Sequence, residues 1–406
     1  MAIAKLSRTL AHYPWGGSGA ISELFGWSAS DKPEAEWWLG VHPVRPSTLA
    51  ADGGPLAQWL QRYDARSDLP YLFKVLAPTM PLSLQVHPST EQAHEGYDRE
   101  VQQGVSLDAS NRLFKDRFAK PELVVALEGG FHALAGVRPV TQTIDALTEL
   151  RGRSDAPAVD DYISRLEQDG IAQTLGWLLR GGEDVLELVG QLGQLAEAPV
   201  TQGDRAEGMT GHNPVRLATD TILRLQKHFP GDAGIAVAML LHRVDLDPGE
   251  ALFVDAGVPH AYLEGYAVEL MAPSDNVLRG GLTTKHVDVE AFLDVVVLQP
   301  GDAPRLTPEV DDSGVSTYRP AGHGFQLSRL HGSGLQERIT LSGPSIVLCT
   351  AGSWQVRGPR GSITASRGEA WAVSQSESPL TLEGSGELWW ASPSEVRQQV
   401  SQQVPQ

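Results

Sequence analysis

A single cysteine, a shortage of basic residues and the lack of any long apolar run set the first limits on this 406-residue chain. Cys349 is the only thiol, so no internal disulfide can form, and its place in the run Ser345-Ile346-Val347-Leu348-Cys349 predicts a buried thiol. The 32 Lys and Arg residues against 50 Asp and Glu leave a formal charge of -18, a field that repels nucleic acid and anionic membrane surfaces. An anionic ligand must therefore meet a local basic site. No apolar segment nears the ~20 residues needed to span a bilayer. The opening MAIAKLSRTLAHYPWGG does not read as a secretory leader. No glycine-rich or Gly-Lys-Ser/Thr phosphate loop stands at a strand-to-helix junction. These absences predict a soluble cytoplasmic protein with no nucleotide cofactor, no nucleic-acid partner and no membrane partner.

The chain is 41% hydrophobic and 20% charged, enough apolar material for two or three packed units. Its 42 glycines and 27 prolines fall mostly between short apolar runs, which favours a mainly β fold with many turns. Residues 1–140 read as short strands and loops, among them Pro70–Leu76 and Leu82–His87, with a polar, partly helical stretch at 89–113. Residues 141–230 change character. Thr143–Leu150 and Asp184–Leu192 carry apolar residues at three and four spacing, which predicts a helical insertion. Strand patterning is expected to return with the run Ile235–Leu241. The segments Leu246–Val254 and Ala365–Val373 resemble each other, each a tight turn ending in Gly-Glu that feeds an apolar strand, and this suggests a repeated β-barrel unit. No histidine follows the second copy. The expected division is thus a first barrel split between 1–140 and 231–300, the helical insertion between them, and a second barrel without metal at 301–406. The polar tail from Pro393 reads as a terminal helix or a frayed end.

Gln85 and His87 stand two apart in an alternating run, so on a strand they share a face. Glu122 follows Lys120-Pro121 at the head of the apolar run Leu123–Leu127, and His260 follows the turn Asp255–Pro259. Two imidazoles, a carboxylate and an amide oxygen form a mixed nitrogen and oxygen set suited to zinc, with manganese, iron or cobalt as alternatives. Spacing alone also permits unrelated residues.

Longer segments are more specific. Tyr13-Pro14-Trp15-Gly16, Ala35–Pro43, Leu72–Leu76, Leu82–Pro88, Lys115-Asp116 through Glu122, Pro259-His260-Ala261-Tyr262, Glu269–Ala272 and Ser274–Lys285 occur in order, and together they resemble the type I mannose-6-phosphate isomerases. The resemblance covers most of residues 10–140 and 245–295. It implies a pair of cupin-type (jelly-roll) barrels with a helical domain, one zinc ion held by Gln85, His87, Glu122 and His260, and a monomer acting on a sugar phosphate. The implied reaction interconverts mannose 6-phosphate and fructose 6-phosphate through an enediol, which needs a base, an acid, a stabiliser for an oxyanion and a phosphate anchor.

The resemblance makes Arg279 catalytic, although an arginine there can also pair with Asp275. Glu269 and Lys285 flank it as candidates to move the proton, and Asp275 is a candidate to orient Arg279 or assist ring opening. Ser83, Lys74 and Lys120 match positions lining the sugar-phosphate pocket. Lys74, inside an apolar strand, is equally suited to pairing with a structural carboxylate. Trp15 and Tyr262 are candidate walls for the sugar, Tyr262 sharing a strand face with His260. Ala119 departs from the pattern, since many bacterial members carry a histidine there that has been considered for ring opening, and the departure puts the proton path in question. The remaining histidines, at 12, 42, 94, 132, 212, 228, 242, 286, 323 and 331, read as surface or core residues. Two other functions are compatible with this ligand set: a cupin metal oxygenase, which would leave the cationic cluster without a purpose, and a sugar-phosphate-binding cupin without turnover.

Overall fold

A computed structural model describes residues 2–65, 68–198 and 214–394. The tail expected from Pro393 lies outside the described residues beyond Ser394, as does His212. The fold is mainly β, with several helices between and beside two large antiparallel sheets.

The ten-stranded sheet runs, edge to edge, through Arg305–Leu306, Ala251–Val254, Glu122–Val137, His260–Met271, Leu72–Leu76, Glu36–Leu39 and Leu10–Ala11. Leu84–Val86 pairs with both His260–Met271 and Leu278–Gly281, and Leu241–Leu246 pairs with Glu122–Val137. The eight-stranded sheet runs through Ile3–Lys5, Glu369–Val373, Ser345–Arg357, Leu380–Pro393, Phe325–Ile339, Ser316–Tyr318 and Glu309–Val310, with Ser362–Ser366 on Ser345–Arg357. Pairing crosses the expected boundaries in two places. Ile3–Lys5 lies in the eight-stranded sheet, against Glu369–Val373, and Arg305–Leu306 lies in the ten-stranded sheet.

Period-two alternation decides what each face meets. On Leu72–Leu76 the residues Phe73 and Val75, and on His260–Met271 the residues Val268 and Leu270, join a core with Tyr318, Phe325, Ile346, Leu348 and Trp389 from the other sheet. The two sheets therefore pack on each other through these faces. The intervening residues Lys74 and Glu269 point to the opposite face, where the site lies.

The helical patterning at 143–150 and 184–192 corresponds to helices Val140–Arg151 and Glu183–Glu197, and the polar stretch contains helix Thr90–Gln102, capped reciprocally by Ser89 and Gln92. With Pro157–Gln168, Gly170–Arg180 and Pro214–His228 they share one apolar core, which also takes in Leu84, Val86, Leu134, Ala261 and Leu278 from the ten-stranded sheet. The strand expected at 235–241 is instead a short helix, Gly234–Ala238, leading into the strand Leu241–Leu246. Its five residues are buried all round, and such a run carries no period to separate helix from strand. The helices Ala20–Phe25 and Leu56–Asp64 likewise interrupt the stretch read as strands and loops.

Candidate metal centre and sugar-phosphate cavity

Register sets the site. Gln85 pairs with His260 on one side and with Arg279 on the other, so three chain-distant residues stand side by side. Glu122, the first residue of its strand, pairs with Val254 and Met271. His87 follows directly after Leu84–Val86.

The floor is a cluster of His87, Glu122 and His260 whose potential ligand atoms lie within 4.8 Å of one another, all buried. His87 Nε2 is 3.2 Å from Glu122 Oε1, and His260 Nε2 is 3.5 Å from Glu122 Oε2. The other ring nitrogens are committed: His87 Nδ1 lies 2.7 Å from the Asn276 carbonyl and His260 Nδ1 3.0 Å from that of Val258. A carbonyl only accepts, so each Nδ1 carries the proton and each Nε2 turns a lone pair toward a carboxylate. Both Nε2 atoms are buried with no hydrogen-bond partner among the described residues. Lone pairs converging in this way repel unless a cation lies among them, and the donor set fits a metal ion. Gln85, also buried, adds an amide.

Electrostatics keeps this floor in a metal-ready state. Burial pushes the His87 imidazole down to about 4 despite Glu122 beside it, so it stays neutral. Burial opposes the charge on Glu122 too, but the Lys120 ammonium at 2.8 Å holds its carboxyl well below the usual range. The Tyr262 hydroxyl donates to Glu122 Oε2 at 3.0 Å.

Above the floor opens a cavity of about 620 Å³. Gln85 and Glu122 reach it from below, and Trp15, Lys74, Ser83, Lys120, Tyr262, Glu269, Asp275, Arg279 and Lys285 line it, so every candidate site residue meets at one place except the two buried imidazoles beneath. Lys74 Nζ lies 3.0 Å from Glu269 Oε2, 3.8 Å from Glu36 Oε1 and over the Trp38 ring. Burial alone would lower Lys74, but Glu269, Glu36 and Glu122 outweigh it and keep the ammonium protonated. Glu269 itself is pushed up to about 7, chiefly by burial, with Lys74 opposing and Glu122 adding. A carboxylate poised there can take or release a proton near neutrality. The carboxylate pairing of Lys74 that the sequence left open is thus present, and its partner Glu269 faces the cavity.

Arg279 has no acidic partner among the described residues, and burial lowers its pKa. The alternative pairing with Asp275 does not form: Asp275 Oδ2 lies 3.5 Å from His42 Nε2. Ala119 lies off the cavity lining. Sequence reasoning missed His228 and Phe229, at the end of helix Pro214–His228, which also line the cavity. It also gave no role to Asn276, whose side chain accepts from Lys115 N at 2.7 Å and donates to the carbonyls of Asp116 and Phe118 while its own carbonyl holds His87. The quoted segment Ser274–Lys285 contained it, but a positioning asparagine carries no spacing signal.

A buried imidazole and carboxylate cluster under a cation-lined cavity in a β-sheet defines a metal-dependent protein acting on an anionic small molecule. Comparison with known proteins is specific about which. A family model described as the catalytic domain of type I phosphomannose isomerase matches residues 3–140. The chain is 31% identical over 400 residues to a mannose-6-phosphate isomerase of Salmonella typhimurium, covering 95% of this chain and 98% of that one. It is 31% identical over 387 residues to the Homo sapiens mannose-6-phosphate isomerase, covering 86% and 87% respectively. Its fold matches a crystal structure of mannose 6-phosphate isomerase bound with zinc and yttrium, with a TM-score of 0.85 and 28% identity over 97% of this chain and all of that one. The chain belongs to the type I mannose-6-phosphate isomerase family.

Proposed function

We propose that this chain is a zinc-dependent aldose–ketose isomerase that interconverts mannose 6-phosphate and fructose 6-phosphate through an enediolate. The observation that carries the reading is the convergence of two unpartnered imidazole Nε2 atoms on Glu122 at the floor of a cavity that also exposes Glu269. Gln85, His87, Glu122 and His260 would hold the zinc, which when bound supplies Lewis-acid polarisation of the sugar's carbonyl and hydroxyl oxygens.

The chain's own groups fill the remaining roles. Glu269 takes the proton from C2 and returns it to C1, and its pKa near 7 suits both directions. Lys74, held protonated at 3.0 Å, orients that carboxylate and adds fixed positive charge. Arg279, without an acidic partner among the described residues, stabilises the oxygen that becomes negative. Lys120 divides its charge between Glu122 and the cavity. Ser83 and Lys285 bind the phosphate, and Trp15 walls the sugar. Tyr262 fixes the orientation of Glu122 by its hydrogen bond. Asp275, beside His42, is placed at the cavity to assist ring opening, a role that does not call on position 119.

The same reading takes the sheets as two cupin-type barrels. The metal-bearing one is built from 1–140, apart from Ile3–Lys5, and 231–300, residues 141–230 form a helical insertion domain, and 301–406, apart from Arg305–Leu306, form a barrel without metal. The shared helical core and the repeated pairing of strands in the two sheets support it. We place the enzyme in the cytoplasm as a monomer. Its lone Cys349 is buried and pushed up to about 12 by that burial, so it needs no oxidising compartment. Among the described residues no helix is long and apolar enough to cross a membrane.

The test is proton NMR of mannose 6-phosphate with the zinc-loaded protein in deuterated water. Fructose 6-phosphate should appear, with deuterium entering at C1 when the enediolate exchanges its proton with solvent. Absence of fructose 6-phosphate would refute the assignment.

A further inference from the structure

The cavity's cations divide into two sets. Lys74 and Lys120 are paired with Glu269 and Glu122, whereas Arg279 and Lys285 have no acidic partner among the described residues. Their closeness lowers the pKa of Lys285, after burial, so holding both on one rim carries an electrostatic cost. Both sit on the segment 279–285, which also brings Thr283 and Thr284 to the cavity.

The bend in this segment is not one a chain adopts freely. Gly281 has φ +134, and Leu282, at φ +54, is one of two non-glycine residues with positive φ among those described. The Leu282 side chain is buried in the helical core. What holds its backbone comes from the stretch that follows helix Pro214–His228. Asp232 lies just beyond helix Pro214–His228, whose end lines the cavity through His228 and Phe229. Its Oδ1 accepts from Gly234 N at 2.7 Å and Leu282 N at 2.9 Å, and its Oδ2 accepts from Thr283 N at 3.3 Å. The fit is close: a Cβ on Gly281 would stand 2.9 Å from Asp232 Oδ1 and 3.0 Å from Gly234 Cα. Asp232 does not itself line the cavity.

We propose that Asp232 is a positioning residue for the phosphate end of the substrate: it clamps the strained bend at 281–283 to the helical segment and so holds Lys285, beyond the bend, on the rim where it meets the phosphate dianion, while Arg279, before the bend, stays fixed by its strand pairing with Gln85. The helical segment thereby takes part in substrate affinity through a carboxylate that never touches substrate. This rests on the isomerase reading, and its test includes a readout that needs no turnover.

The experiment compares wild-type, D232A and D232N proteins, zinc-loaded, by steady-state kinetics with mannose 6-phosphate and by calorimetric binding of inorganic phosphate, with zinc content and thermal midpoint on the same samples. For D232A we expect KM to rise and phosphate affinity to fall by about tenfold while kcat stays within about threefold, the pattern of lost binding energy and not of lost chemistry. D232N keeps the oxygen that meets Gly234 and Leu282, so its loss should be about threefold. Wild-type KM and phosphate affinity in either variant, or a fall in kcat at unchanged KM, would overturn the proposal. So would equal impairment of the two variants. Should D232A not fold, D232N decides alone, with unchanged phosphate affinity as the contrary result. Absence of turnover by the wild type would instead count against the isomerase reading and leave the phosphate measurement standing.

Discussion

The two large sheets share one piece of architecture and use it in opposite ways. In the ten-stranded sheet the long strand Glu122–Val137 carries two short ones, Leu241–Leu246 and Ala251–Val254, and the next long strand, His260–Met271. In the eight-stranded sheet Ser345–Arg357 carries Ser362–Ser366, Glu369–Val373 and then Leu380–Pro393 in the same relation. The turn between the short strands is closed alike in both. Gly249 and Gly368 take φ +90 and +76, and the following Glu250 and Glu369 accept from Asp247 N and Ser366 N at 2.9 and 3.0 Å. A proline then precedes the first residue of each long strand, and here the copies part. That residue is His260 in one and Leu380 in the other.

The interiors follow the same division. Around Leu380 lie Leu382, Trp354, Val356 and Cys349, a filled apolar core. Around His260 lie His87, Glu122 and Gln85, with Lys74 and Glu269 above them, and a cavity. A second difference is the connection after the first long strand. It is a tight turn at 358–361 in one sheet, and in the other it is the whole helical segment, which brings His228 and Phe229 to the cavity and Asp232 to the backbone of Leu282. Backbone pairing therefore fixes neither chemistry nor access. Both depend on which residues stand at strand starts and on what is inserted in one loop.

The largest effect is expected from giving the ten-stranded sheet its counterpart's residue. His260→Leu should weaken zinc affinity beyond the ~10–100-fold typical of losing a mere outer partner of a ligand, and turnover should vanish with the metal. Full zinc occupancy in that variant, by metal analysis, would remove His260 from the ligand set. Next in size is Glu269→Gln, for which kcat should fall by about 10²–10⁴ with zinc retained. The wild-type kcat/KM should fall as pH drops through about 7 or somewhat below, because Glu269 acts as the carboxylate and is protonated there, and a cation at Glu122 draws the midpoint down. A variant that keeps both its rate and that acidic limb would show the proton is carried elsewhere. Smallest for catalysis is Leu380→Ala in the apolar sheet. It should cost about 2–5 kcal/mol of stability, read by denaturant unfolding, and leave KM and kcat unchanged. A large loss of turnover in a folded Leu380→Ala protein would mean the two sheets are functionally coupled.

Much of the site was legible because its residues sit in short, strongly patterned strands. Gln85 and His87 share a face by period two alone, and the ordered segments around Glu122, His260 and Arg279 supplied the rest through resemblance. The family and its sugar-phosphate chemistry came from that resemblance as well. What the sequence did not reveal depends on tertiary placement. The Lys74–Glu269 pair exists because two strands align in one register. His228, at the cavity, and Asp232, behind it, belong to a helical stretch with no motif and are brought there only through packing of the helices on the sheet. The helix Gly234–Ala238 escaped because an all-apolar run has no periodicity to read.

The dependence of isomerisation on the cluster under the cavity is the most direct test of the site. Purified protein should be assayed for conversion of mannose 6-phosphate to fructose 6-phosphate before and after chelation, with metal analysis of each sample. Conversion should be lost as the metal leaves and return when zinc is restored. No conversion by the metal-loaded protein, or undiminished conversion by protein shown to be free of metal, would contradict it.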